Sequence, residues 1–205
     1  MKTRNKKFIY LISPNKIINN SFYNILNQVF KSKKVKFFQL RLKKESVKKK
    51  VIIAKKILQI CKNNKVKLII NDDPNLALKV NADGCHLGQK DMSLKNARKI
   101  IGNKIIGITC HNSIKLAKAA IKENASYLAF GAFFPTTTKK VKFKANTKIL
   151  NKIKNLTKTP IVAIGGININ NYKKLLLNNA DLLAISGYIW NNKKYKPLET
   201  IKKLK

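Results

Sequence analysis

Short apolar runs alternate with longer amphipathic stretches from one end of the chain to the other. The runs Phe8–Ser13, Val35–Leu42, Lys67–Asn71, Gly84–Leu87, Ile105–Thr109, Tyr127–Ala132, Ile161–Gly165 and Leu182–Ser186 predict eight β-strands. Between them the pattern predicts helices near Ile17–Phe30, Ser46–Asn63, Pro74–Val80, Ser93–Ile101, Ser113–Lys122, Thr147–Leu156 and Asn170–Leu177, with a last piece at Pro197–Lys203. Several begin at a Ser, Thr or Asn suited to capping.

Most of the strand runs are too short and too uniformly apolar for a half-exposed antiparallel sheet, so a parallel sheet covered on both faces is the natural assignment. Repeated βα units, eight of them, predict an α/β fold: a single (β/α)8 TIM barrel domain over residues 1–205. Its active site would lie at the C-terminal ends of the strands. The alternative is an open doubly wound sheet, but no Gly-x-Gly-x-x-Gly follows the first strand, where a dinucleotide site would need it.

No apolar run approaches the roughly 18–20 residues that span a bilayer. The basic start, Met1 to Lys7, is followed by an apolar stretch too short for a signal peptide. Cys61, Cys85 and Cys110 are odd in number and widely spaced, which suits a reducing compartment. A soluble, cytoplasmic protein is therefore expected, with no membrane partner.

The formal charge of +37 invites a nucleic-acid reading. Against it, only Arg4, Arg41 and Arg98 are arginines, and the Lys excess runs with Asn and Ile along the whole chain, as drift toward A/T-rich codons would produce. Weak adhesion to polyanions is expected, without specific nucleic-acid binding. Homo-oligomerisation is left open by the sequence.

Charge becomes informative where it is scarce. Of eight acidic residues, Asp72, Asp73, Asp83 and Asp91 fall in one window from Asn71 to Asp91. One of Asp72 and Asp73 would cap the helix opened by Pro74, leaving the other for metal or catalytic duty. Alternation puts Gln39, Arg41 and Lys43 on one side of the second strand's end, a cationic wall for an anion. Two carboxylates on adjacent strands facing that wall suggest Mg2+ bridging to a phosphorylated substrate. After the sixth strand, Thr136-Thr137-Thr138-Lys139 can surround a phosphate, and Gly165-Gly166 and Ser186-Gly187 stand where barrels hold phosphate on backbone N–H groups. His111, alone in a loop, reads as structural rather than catalytic.

Taken together, Gln39-x-Arg41-x-Lys43, Asn71-Asp72, Asp83-Gly84 to His86-x-Gly88-Gln89-x-Asp91, Gly131 to Pro135-Thr136-x-Thr138-Lys139 and Ile164-Gly165-Gly166-Ile167 resemble thiamine-phosphate synthase, over nearly the whole chain. The resemblance implies a transferase that joins hydroxymethylpyrimidine diphosphate to hydroxyethylthiazole phosphate, releasing pyrophosphate. It implies Asp72 and Asp91 as Mg2+ ligands, and Gln39, Arg41, Lys43, Asn71 and Lys139 on the diphosphate, with Arg41 and Lys139 as the catalytic cations. It also implies Thr136, Thr138, Gly166, Ile185 and Ser186 on the thiazole phosphate. Thr109 stands where the family commonly has Ser, a substrate contact that keeps the hydroxyl and adds a methyl. Ser186-Gly187-Tyr188 replaces the family's Ser-Ala-Ile. A thiazole tautomerase barrel, with a His near position 111, and a non-catalytic RNA-binding protein are the alternatives.

Overall fold

Strands this short are stable only if both faces are buried, and closing the sheet on itself achieves that without leaving an edge. The computed structural model, which describes residues 7–136 and 142–204, shows such a closure. The strands are β1 Ile9–Ile12, β2 Val35–Leu40, β3 Lys67–Asn71, β4 Gly84–Leu87, β5 Ile105–His111, β6 Tyr127–Phe130, β7 Ile161–Ile164 and β8 Leu182–Ile185. All pair in parallel with their sequence neighbours, and β8 returns to pair with β1. The open-sheet alternative is excluded by that last pairing. The helices are α1 Ser21–Lys31, α2 Val47–Asn63, α3 Pro74–Lys79, α4 Leu94–Ile101, α5 Ile114–Lys122, α6 Lys148–Lys154 and α7 Tyr172–Leu177, followed after β8 by α8 Gly187–Trp190 and α9 Pro197–Lys203. Among the described residues no helix is long and apolar enough to cross a membrane.

The two-residue period of a strand divides the core into two layers. Outward residues such as Ile9, Leu11, Phe38, Leu40, Leu68 and Ile70 pack with the helices in one large cluster. Inward residues, among them Tyr10, Phe37, Ile69, Tyr127 and Val162, fill the barrel. At one level the interior is asymmetric: a Cβ at Gly107 would sit 1.9 Å from the Tyr127 ring, so the missing side chain on β5 is the space the aromatic on β6 occupies.

Three strand junctions at the N-terminal end share one device. The residue before β4, Asp83, donates its N–H to the Leu68 carbonyl (2.9 Å) and accepts the Leu68 N–H on its carboxylate (2.8 Å). Asp181, before β8, clamps Ile161 in the same two-way manner (2.9 and 2.9 Å). Ser126, before β6, does so to Ile106 with a hydroxyl (2.8 and 3.0 Å). Each Asp also meets a lysine, Lys67 at 2.8 Å and Lys154 at 3.0 Å.

The capping residues expected at Ser46, Ser93 and Ser113 accept N–H groups of the first turn, whereas Thr147 makes no side-chain cap bond. Differences from the sequence pattern are local. The β2 ladder stops at Leu40, although apolar alternation runs on through buried Leu42, so Arg41 and Lys43 sit just beyond the strand. Strand β7 stops at Ile164 because Gly165 and Gly166 turn with φ of 104° and 63°. The four-residue α8 is too short to show a periodicity, and its Trp190 indole N–H donates to the Ile12 carbonyl (2.6 Å), fastening α8 to β1.

Candidate active site

The ends of β2, β3, β4 and β5 bring most of the polar candidates together. Of the two adjacent aspartates after β3, Asp73 is the helix cap: its Oδ1 accepts the Leu76 N–H (2.9 Å), with Pro74 in the first turn of α3. That leaves Asp72 for the site. Its N–H extends the ladder to the His86 carbonyl (2.8 Å), and its φ of 63° is a left-handed conformation uncommon outside glycine. Such local strain is retained where surrounding contacts hold it, and here it delivers the carboxylate to the mouth.

Asp72 Oδ2 lies 3.0 Å from Lys43 Nζ, and the Asp72 carboxylate is within hydrogen-bonding reach of Asp91. Asp91 sits in the loop opened by Gly88, whose N–H donates to its Oδ2 (2.7 Å). The two carboxyls titrate in opposite directions. Burial raises that of Asp72, but Lys43, Asp91 and Asn71 outweigh it and hold the group below the usual carboxylate range. Burial and the neighbouring Asp72 charge push Asp91 above that range despite the Gly88 N–H. Two like-charged groups this close favour either a shared proton or a cation.

The strand-2 residues divide by depth. Gln39 is buried inside the barrel, with its Nε2 donating to the Tyr10 hydroxyl (2.8 Å). Arg41 is half-buried; its N–H is held by Ser13 Oγ (3.0 Å) and its guanidinium donates to Asn15 Oδ1 (3.2 Å). Lys43 is exposed and engaged with Asp72. Asn71 ends β3 beside them, paired in register with His86.

On β5, Thr109 Oγ1 is 2.8 Å from His86 Nε2, and its carbonyl accepts from Gln89. Gln89 and His86 were not singled out from the sequence as site groups, though both lie inside the motif around Asp91. The His111 ring stacks on Phe143 at 4.3 Å between centroids, and its carbonyl accepts the Gly131 N–H.

Across the mouth, the segment after β6 runs along the β7 end, with Phe133 and Phe134 N–H groups donating to the carbonyls of Ile164 and Gly165 (3.1 Å each). Gly166 fits beneath it, where a Cβ would come within 2.2 Å of the Pro135 carbonyl oxygen. Thr136 follows directly on that approach in sequence. Ser186, at the start of α8, donates its hydroxyl to the Ser13 carbonyl (3.2 Å), while the Ile185 side chain is buried in the outer core, leaving only its backbone on the mouth side. Thr138 and Lys139 lie outside the described residues.

Known proteins resemble this chain in sequence and in fold. A family described as "Thiamine monophosphate synthase" matches residues 9–189. A "Thiamine-phosphate synthase" of Pelagibacter ubique is 68% identical over 201 residues, covering 98% of this chain and 97% of its own length. The enzyme of that name from Rhodospirillum centenum is 38% identical over 188 residues, covering 90% of this chain and 89% of its own. Among solved structures, a "Thiamine phosphate pyrophosphorylase" from Pyrococcus furiosus superposes with a TM-score of 0.84 at 27% identity, over 98% of this chain and 94% of that one. With a full-length barrel, a strand-end carboxylate pair and these relatives in agreement, the chain belongs to the thiamine-phosphate synthase family of transferases.

Proposed function

We propose that the synthase reaction, coupling hydroxymethylpyrimidine diphosphate to hydroxyethylthiazole phosphate, runs at this mouth with Asp72 and Asp91 holding Mg2+. The observation that carries the reading is the opposed carboxylate pair beside Lys43. Among the described residues no group of three or more His, Cys, Asp or Glu gathers around a common point. Two oxygen donors without a closed cage fit Mg2+, which keeps several waters and takes the rest of its shell from substrate phosphate. When bound, the ion would neutralise charge growing on the leaving diphosphate.

The chain's own residues divide the remaining work. The bond between the pyrimidine methylene and the diphosphate oxygen breaks first, pyrophosphate departing with the bonding electrons, and the thiazole nitrogen then supplies the electron pair for the new C–N bond to the pyrimidinylmethyl cation. The demand on the protein is therefore to stabilise anionic charge at the departing group. Arg41 and Lys43 are the cations for this at the β2 end, joined by Lys139 and assisted by Asn71, with Gln39 deeper in the barrel and Thr109 opposite. Thr136, Thr138, Gly166 and the Ile185–Ser186 backbone would hold the thiazole phosphate on neutral donors. Placing the two anions on separate walls keeps the incoming phosphate from competing for the cations.

The test is direct. Incubated with both substrates and Mg2+, the protein should release thiamine phosphate and pyrophosphate; with excess chelator it should not. Full turnover in chelator would remove the metal assignment. Isomerisation of the thiazole without coupling would replace the reading by a tautomerase.

A further inference from the structure

A line of side-chain hydrogen bonds crosses the barrel interior and ends at the candidate site. Gln39 Nε2 donates to the Tyr10 hydroxyl (2.8 Å), and the Tyr10 and Tyr127 hydroxyls are 2.7 Å apart. The Tyr127 hydroxyl is 3.0 Å from His86 Nδ1, and His86 Nε2 is 2.8 Å from Thr109 Oγ1. The five residues come from β2, β1, β6, β4 and β5 in that order, so only closure of the barrel assembles the line. The His86 and Tyr127 rings also stack nearly parallel, at 9°. No buried side-chain nitrogen or oxygen among the described residues lacks a partner.

Counting hydrogens gives the line a direction. Burial raises both phenols, so each hydroxyl keeps its single hydrogen at neutral pH. The Tyr10 oxygen accepts from Gln39 Nε2, which can only donate. The Tyr10 hydrogen must then go to Tyr127, because this buried hydroxyl has no other acceptor in the line and an orphaned donor is costly. Tyr127 in turn directs its hydrogen to His86 Nδ1. An imidazole that accepts at Nδ1 and remains neutral carries its hydrogen on Nε2 and donates it to Thr109 Oγ1. The Thr109 hydroxyl is left with one hydrogen for an acceptor at the mouth.

We propose that Gln39, Tyr10, Tyr127 and His86 form a polarity relay that locks His86 as its Nε2–H tautomer and makes Thr109 a hydrogen-bond donor to the bound pyrimidine diphosphate. The second half rests on the reading of Thr109 as a substrate contact. Tyr10, Tyr127 and His86 act through Thr109 and are positioning residues. The relay is reversible only as a whole. Turning the Gln39 amide to present its oxygen would flip every bond, place the hydrogen on Nδ1 and make Thr109 an acceptor.

Imidazole 15N spectra of the labelled protein read the tautomer directly. The chain has two histidines, so His111→Asn leaves His86 alone for assignment. The relay requires hydrogen on Nε2 and an unprotonated, hydrogen-bonded Nδ1; the opposite tautomer overturns it. Tyr127→Phe removes the donor to Nδ1, and the His86 signals should shift toward a tautomer mixture, with kcat/KM falling about tenfold. Unchanged His86 signals in that variant would also overturn the relay. Should Tyr127→Phe not fold, Tyr10→Phe interrupts the line one step earlier and is judged by the same signals. Thr109→Val with undiminished kcat/KM, beside the expected tautomer, would overturn the donation to substrate while sparing the relay, which separates the two failures.

Discussion

The two ends of the barrel use aspartate in opposite ways. At the N-terminal end Asp83 and Asp181 each meet a lysine and a backbone N–H, so each charge is matched where it sits. At the C-terminal end Asp72 and Asp91 face one another with Lys43 as the ion-pair partner. The first arrangement is complete as a structural clamp, and Ser126 performs the same task with no charge at all. The second leaves two like charges in contact, a pair that a shared proton or a further cation would relieve. A short-range difference in partners thus separates carboxylates that hold the fold from carboxylates available for chemistry.

The contrast can be broken from either end. The largest effect is expected at the mouth: Asp72→Asn or Asp91→Asn should reduce Mg2+-dependent turnover about 100-fold while circular dichroism stays native, since each removes a charged contact worth roughly 1.5–3 kcal/mol and the pair acts as a unit. Either variant retaining wild-type turnover would make the mouth carboxylates as structural as those below. Arg41→Gln should cost about tenfold in kcat/KM for the pyrimidine diphosphate, measured at moderate salt to suppress long-range steering.

At the other end the readout changes from rate to stability. Asp83→Ala should lower unfolding free energy by ~2 kcal/mol, and Asp83→Ser should recover about half of that, because a hydroxyl at the corresponding place before β6 makes the same two-way clamp. Turnover per folded molecule should not move in either variant. Denaturant titration together with kcat distinguishes this from a functional role.

A pH series sharpens the comparison further. The Asp91 carboxyl is raised in the folded protein, so its favourable contribution is present below the unfolded value of about 3.9 and is lost as pH rises through the folded value. Asp72 runs the other way, contributing above about 3.9 and losing that contribution as pH falls through its lowered folded value. In divalent-free buffer Asp91→Asn should therefore melt higher than the wild type at neutral pH, with the advantage gone in acid. The smallest effect belongs to the exposed lysines: replacing Lys48 and Lys193 by Gln should leave kcat/KM within about twofold across a salt series, as solvated charges contribute little.

Much of this was visible in the chain before folding, for identifiable reasons. Doubly buried strands announce themselves as uniform apolar runs, and Asp before Pro announces a cap, so the barrel and one of the Asp72–Asp73 pair were legible. Which of the two capped was not, because the choice depends on the left-handed turn at Asp72. Charge scarcity marked the window from Asn71 to Asp91 but not the division of labour within it: Asp73 and Asp83 are structural. The end of β2 was overextended since Leu42 continues the alternation after the ladder has ended. The Tyr10–Tyr127 contact joins residues 117 apart in sequence, and nothing local to either tyrosine signals it.

The vacancy at Gly107 has a consequence for how such a chain can change over generations. With the Tyr127 ring filling the space a Cβ would take, positions 107 and 127 form one inherited unit. A codon change that enlarges residue 107 first displaces the aromatic and is eliminated, whereas loss of the aromatic first opens the way for a later enlargement. Lineages that abandon the tyrosine should therefore do so before they abandon the glycine, giving the interior a one-way order of replacement that the lysine-rich exterior does not impose.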